Sequence, residues 1–278
     1  MIDILMITHN RPEYVRLALP HLLESCPPQA RVWLWHNGTD EETLRAVLAH
    51  RDHPRLHRFH HSPVNTGLRT PTNWLWQEAT GAYLGKVDDD CLPDPAWLRV
   101  LPAAHADNPR FGVIGCWRFP DSDVDPELVA KKLADYPGGH RLMRNHWIQG
   151  SGYLVKREVL DQLGPLRPDE SFTGWCLRAA RAGWVNGWYH PFLHEEHMDD
   201  PRSPHTIYRT DADLLARLPL SARNTGCRTV ADWTDQMRHA ALVVQRAPLD
   251  LRAYEGWRWR IRNIGRRIRL GIGARAPW

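Results

Sequence analysis

Residues 2–7 are a continuous apolar stretch apart from Asp3, and the stretch ends in the polar group Thr8-His9-Asn10-Arg11-Pro12. A strand buried on both faces has this pattern. From Glu13 to Glu24 the apolar positions Val15, Ala18, Leu19, Leu22 and Leu23 follow helical spacing, and Pro12 suits the first turn of that helix. Val32–Trp35 reads as a second strand, running into His36-Asn37-Gly38-Thr39-Asp40. A helix over 40–49 follows, with Thr39 or Asp40 as its cap. Then come a short strand at 56–60, a helix at 70–80 stopped by Gly81, and a strand at 82–87 leading into Asp88-Asp89-Asp90. Strands and helices alternating through short turns predict an α/β fold with a doubly wound, mostly parallel sheet. Such sheets bind ligands at the carboxyl ends of their strands. The polar clusters at 8–11, 36–40 and 88–90 all fall at such ends.

The second half is less regular. Residues 111–117 and 151–155 read as strands, and 157–163 and 171–182 as helices. Residues 199–210 form a polar loop, 211–247 read as helices, and an amphipathic helix covers roughly 250–270. The expected organisation is one α/β domain over 1–210, in two halves meeting at residue 90, and a helical extension over 211–278.

Composition narrows the function classes. At 278 residues, 42% hydrophobic and 24% charged, the chain has the make-up of a soluble globular protein. No apolar run reaches the ~18 residues that span a bilayer. The first residues lack a basic leader, so they read as a strand and not a signal peptide. The five cysteines are widely spaced without a Cys-x-x-Cys pair, which argues against a zinc ribbon or a disulfide framework and suits a reducing cytoplasm. The net charge of +4 is uneven: arginines crowd the last stretch of chain. There Tyr254, Trp257, Ile261, Ile264 and Ile268 fall on one helical face, flanked by Arg258, Arg262, Arg266 and Arg269. Two readings stand: residues 250–275 lie on an anionic membrane surface at its cytoplasmic face, or the stripe packs on the protein and the arginines are solvated. No nucleic-acid-binding motif accompanies the basic tail.

The acidic triplet carries the chemistry. Adjacent carboxylates repel one another unless a cation or solvent relieves them. Two of them at i and i+2 suit Mg²⁺ or Mn²⁺, which favour hard oxygen ligands and bridge to phosphates; the plain alternative is a solvated loop of capping aspartates. The triplet has company. Asn65-Thr66-Gly67, Asn73 and Ala79-Thr80-Gly81 precede it, and Ile4-Leu5-Met6-Ile7-Thr8-His9-Asn10-Arg11-Pro12 opens the chain. Asn37-Gly38-Thr39-Asp40, Gln149-Gly150-Ser151-Gly152 and Leu177-Arg178-Ala179-Ala180-Arg181-Ala182-Gly183-Trp184 complete an ordered series. Over residues 1–197 this series resembles glycosyltransferase family 2, including its Asp-x-Asp motif.

The resemblance implies a GT-A fold and inverting transfer of a sugar from a nucleoside-diphosphate sugar to a hydroxyl of a glycan or lipid-linked sugar. It implies that residues 1–90 bind the nucleotide and 91–210 the acceptor. Thr8, Asn10, Arg11, His36 and Asn37 would hold base and ribose, with His36 standing where the family has Asp. Arg69 would contact base or phosphate, and Asp88, Asp89 and Gly150 the sugar nucleotide. Asp90 and Asp88, with His194 or His197, would bind a divalent cation, Mn²⁺ or Mg²⁺. The family's Glu-Asp pair, the source of the general base, falls on Ser171 and Phe172, so the base is expected at Glu170 or Asp169 just upstream, at another acid, or is lost. Two other classes compete. A nucleotidyltransferase would need a Gly-rich phosphate loop, which residues 8–12 lack; a non-catalytic sugar-nucleotide-binding module would account for the absent pair.

Overall fold

A computed structural model describes residues 1–255. The strands are β1 (Ile2–Thr8), β2 (Ala30–Asn37), β3 (Leu56–Ser62), β4 (Tyr83–Asp88), β5 (Cys91–Pro93), β6 (Phe111–Gly115), β7 (Leu133–Tyr136), β8 (His140–Asn145), β9 (Tyr153–Lys156), β10 (Val185–His190) and β11 (Glu195–His197). The helices are α1 (Pro12–Ser25), α2 (Glu41–Leu48), α3 (Arg69–Glu78), α4 (Trp97–Asp107), α5 (Pro126–Ala130), α6 (Arg157–Leu163), α7 (Phe172–Arg181), α8 (Asp211–Ala216), α9 (Leu220–Thr225) and α10 (Val230–Gln245). They fall into two compact units. Among the described residues, the first comprises Met1–Arg118 and Lys132–Glu196, and the second Phe119–Lys131 and residues 197–255.

The first unit is built on a nine-stranded sheet in the order β3-β2-β1-β4-β9-β6-β10-β8-β7. β9 and β8 run against the other seven strands, so the sheet is mostly parallel, as expected. All seven residues of β1 are buried, which is why its sequence is nearly continuous in apolar residues. The exception, Asp3, is fully buried. Its carboxylate accepts hydrogen bonds from Arg31 Nε, Trp33 Nε1 (2.8 Å) and the Gly81 N–H (2.7 Å). Burial pushes the Asp3 pKa up, but the bonds from Arg31, Trp33 and Gly81 more than offset it, and the net shift is downward. A Cβ at Gly81 would lie 2.5 Å from Asp3 Oδ2, so that turn requires glycine. The opposite strand ends set the site: Thr8 pairs with His36, and Ile7 with Asp88.

Several boundaries differ from expectation. β6 stops at Gly115, and Trp117 continues only as a bridge to His194. β9 starts at Tyr153 because Gly152, at φ +60°, turns the chain. Helix α4 and strands β7, β8 and β10 have no counterpart in the sequence reading. α4 carries Pro102 in its interior, and β10 interrupts its apolar positions with Asn186 and Gly187.

In the second unit, Thr210 with Asp213 and Thr229 with Asp232 form capping boxes that start α8 and α10. Tyr208, Leu214, Ala222, Cys227, Trp233 and Met237 form its core. Arg202 donates to both Asp123 carboxylate oxygens (2.7 Å each) and to Asp200 (2.7 Å), tying segment 119–131 to the rest of the unit. Residues 199–210 are free of helix and strand and 211–247 largely helical, as expected. Leu251–Tyr254 is a 3-10 turn, and the rest of the arginine-rich tail lies outside the described residues. Among the described residues no helix is long and apolar enough to cross a membrane, and all five cysteines are buried free thiols.

Candidate active site

Three strand ends meet at the carboxyl edge of the parallel sheet, and each carries a polar group. At the first, Thr8 Oγ1 lies 2.9 Å from His36 Nδ1, and both residues are fully buried. Burial, then the neighbouring His61 and His9, push the His36 pKa down to about 4, so the ring is neutral at physiological pH. Its Nε2 has no hydrogen-bond partner. Asn37, also buried, accepts at Oδ1 from Trp35 Nε1 (2.9 Å) and the Thr66 N–H (3.2 Å) and donates to the Gly67 carbonyl (3.2 Å). It anchors the Asn65–Gly67 loop to the end of β2.

The turn after β1 reaches the acidic triplet directly. The His9 N–H donates to Asp89 Oδ2 (3.0 Å), and Arg11 bonds Asp89 (2.9 Å) and Asp90 (3.2 Å). Asn10 and Arg11 both have φ of 55°. Two successive non-glycine residues in the left-handed region cost about 1–2 kcal/mol each, a strain characteristic of functional turns. Asp89 is buried, and that burial pushes its pKa upward against the opposing pull of Arg11. Asp90 accepts at Oδ1 from the Cys91 thiol (3.2 Å). Asp88 is the most open of the three; it is paired with Lys86, whose ammonium also donates to the Gly150 carbonyl (2.7 Å).

Behind Asp88 lies a group the sequence reading missed. The Asp88 N–H donates to Ser151 Oγ (2.9 Å), and that hydroxyl donates to Glu195 Oε1 (2.6 Å). Glu195 packs against Gly152, where a Cβ would come within 2.7 Å of the carboxyl carbon. Its second oxygen is buried without a partner. Burial pushes the Glu195 pKa up to about 8, Asp88 adds to the rise, and the Ser151 bond opposes it. The native carboxyl thus holds its proton to higher pH than an unfolded glutamate, near 4.5. Between those values the native state binds more protons, so stability falls as pH rises. Glu195→Gln keeps the shape of the protonated acid without titrating. Its stability relative to wild type should rise by up to ~1.4 kcal/mol per pH unit between about pH 5 and 8. Denaturant melts of both proteins across that range check this; a pH-independent difference would contradict it.

Arg69 and Glu170 belong to a second cluster. Arg69, at the start of α3, donates from Nε (3.3 Å) and Nη2 (3.1 Å) to the Glu170 carbonyl. Asn73 and Leu166 exchange two hydrogen bonds, so α3 and the 165–171 loop are stitched together. The Glu170 carboxylate is gripped by Arg178 through Nε (3.0 Å) and Nη2 (2.7 Å), whereas Asp169 is exposed. Ser171 caps α7 by accepting from the Gly174 N–H (3.1 Å), and Phe172 stacks on Tyr153. Both positions that bear acids in the family pattern therefore have structural work here. His194 is exposed, and its carbonyl accepts from the Asp94 N–H (2.7 Å). His197 is buried and opens the second unit.

A mostly parallel sheet with polar strand ends and an acidic turn at its carboxyl edge is the architecture of GT-A transferases. The chain belongs to glycosyl transferase family 2, whose model matches residues 3–164. Its fold is similar to that of the mannosyltransferase PcManGT from Pyrobaculum calidifontis in complex with GDP-Man and Mn²⁺. That likeness has a TM-score of 0.60 and 16% identity, over 98% of this chain and 86% of that one. It is also similar to S. aureus TarS 1-349 in complex with UDP-GlcNAc, with a TM-score of 0.53 and 13% identity, over 99% and 93% of the two chains. No curated protein matches the sequence significantly.

Proposed function

We propose that this protein transfers a sugar from a nucleoside-diphosphate sugar to an acceptor hydroxyl of a glycan or lipid-linked sugar, with inversion and with the help of a divalent cation, Mn²⁺ or Mg²⁺. The observation that carries the reading is the strand register, which sets Thr8 beside His36 and runs β4 into the acidic triplet at the same sheet edge. Thr8, Asn10, His36 and Asn37 take the base and ribose, and Arg69 a base or phosphate group. Asp88, Asp89 and Gly150 line the sugar-nucleotide side.

The residues present fit a hard cation. The acidic turn supplies carboxylate oxygens, the hard donors such an ion prefers, and among the described residues Lys86 and Arg11 are paired with them. Asp90 and Asp88, with His194, would hold the ion, which when bound offsets charge building on the leaving diphosphate. Asp169 is the carboxylate suited to take the proton of the acceptor hydroxyl, because Glu170 is engaged by Arg178.

Incubation with a panel of nucleotide sugars and Mn²⁺ should show slow release of nucleoside diphosphate from at least one donor. UDP-GlcNAc and GDP-mannose are the first to try. The second reading, a binding module without catalysis, draws on Ser171 and Phe172 at the positions of the family's acid pair. Saturable donor binding with no release, with or without acceptors, would favour it.

The basic tail extends the reading to a peripheral membrane enzyme at the cytoplasmic face. About 1 kcal/mol for each arginine near an anionic surface is enough for reversible attachment. Full-length protein should float with anionic vesicles at low salt, and a version ending at Leu249 should not. Equal flotation of the two would place the tail in the other role, packed on the protein.

A further inference from the structure

The acidic turn carries its own cation. Arg11 spans two carboxylates, with Nη2 on Asp89 Oδ1 (2.9 Å) and Nη1 on Asp90 Oδ2 (3.2 Å). The two acids are nearly closed to solvent, at 6% and 11% side-chain exposure, and Arg11 at 23% is the better solvated partner. The guanidinium therefore stands on the more open side of the pair. Its backbone is in the left-handed region next to a second such residue, Asn10, in the turn that precedes α1. Lys86 differs: it is buried and tied to both Asp88 and the Gly150 carbonyl. Of these two basic groups, Arg11 is the one paired with Asp90.

A guanidinium and a divalent cation cannot share one face of Asp90 without strong repulsion at low dielectric. We infer that Arg11 is the resident counter-ion of the acidic turn, and that it must leave Asp90 before a divalent cation binds there. A diphosphate offers the planar guanidinium an anionic partner of matching geometry. Nucleotide draws Arg11 off the carboxylates, and the cation takes the position it leaves. Cation and nucleotide consequently bind together better than either binds alone, and by linkage each tightens the other by the same factor. Arg11 acts here as a positioning residue. The inference rests on the proposed sugar-nucleotide reading for the identity of its two ligands, while the counter-ion role rests on the geometry.

The test is Mn²⁺ binding to the full-length protein, followed by electron paramagnetic resonance of free Mn²⁺, with and without UDP or GDP. In wild type, Mn²⁺ alone should bind weakly and nucleotide should tighten it by ~10-fold or more, within the usual span of coupling between sites. Arg11→Gln removes the competing charge. It should bind Mn²⁺ alone ~10-fold more tightly than wild type, and nucleotide should then add little. Arg11→Lys keeps a cation but not the fork; it should bind Mn²⁺ alone about as weakly as wild type, with a smaller gain from nucleotide. A residue that merely shaped the site would lower Mn²⁺ affinity when replaced, the opposite sign. Mn²⁺ affinity in Arg11→Gln equal to or below wild type overturns the inference. So does independent binding of Mn²⁺ and nucleotide in wild type, which decides the matter without a variant should Arg11→Gln fail to fold. If neither ligand binds wild type or Arg11→Gln, the sugar-nucleotide reading itself fails and takes the inference with it.

Discussion

Asp90→Asn should lower sugar transfer by about 1000-fold, close to 4 kcal/mol of transition-state stabilisation, while leaving the fold intact. The size reflects the loss of a charged oxygen where the cation and the departing diphosphate would meet. The stability expectation follows from the neighbours. Asparagine keeps the shape of the side chain and an oxygen for the Cys91 thiol, which bonds Asp90 Oδ1 at 3.2 Å. Arg11 keeps Asp89 as its partner at 2.9 Å. Removing one of three adjacent negative charges relieves repulsion and offsets the lost ion pair. Steady-state rates with saturating Mn²⁺ and donor, read beside thermal melts, check both halves. A variant that retains a tenth of wild-type turnover, or one that loses its cooperative melt, contradicts the assignment.

The second large effect is expected at Asp169. Asp169→Asn should slow transfer by at least ~100-fold, the usual contribution of a general base. Donor affinity should barely change, because the base acts on the acceptor. Glu170→Gln should behave differently. It removes the charge gripped by Arg178, whose side chain is only 15% exposed. Breaking such a pair leaves a poorly solvated cation, and a loss of about 2–3 kcal/mol in stability is expected, below the 3–5 of a fully buried pair. Arg178 retains its bonds to the Leu163 and Pro165 carbonyls, which limits the damage. Rates on an active acceptor, with melts for both variants, separate the roles. A full rate in Asp169→Asn beside a ~100-fold loss in a well-folded Glu170→Gln would reverse them; full rates in both place the base elsewhere.

β1, β2 and β4 were legible because they lie inside the parallel half of the sheet and are largely buried, whereas β3 is its edge strand and is mostly exposed. The later strands hide for physical reasons. β8 exposes Arg141 and Arg144 on an otherwise buried strand, and β10 passes through Asn186 and Gly187 before its tryptophan. The site divides the same way. The Asp88–Asp90 triplet and the Thr8–Arg11 turn announce themselves by composition. Lys86 could have been found, since two residues before Asp88 on a strand places both side chains on one face. Ser151 and Glu195 could not: their partnership with Asp88 depends on β9 pairing with β4 and on the chain returning after β10.

The position of β9 has a consequence for the growing chain. The pairing edge of β4 away from β1 is taken by β9, whose last residue, Lys156, comes 68 residues after Asp88, the last of β4. At roughly 5–20 residues per second, that edge stays open for about 3–14 seconds during synthesis. For those seconds the nascent β3-β2-β1-β4 sheet exposes unpaired N–H and C=O groups along a strand whose middle four residues are buried in the finished protein. Vectorial synthesis therefore leaves this nascent sheet with an edge open to wrong pairing, and the short strand Tyr153–Lys156 is what closes it.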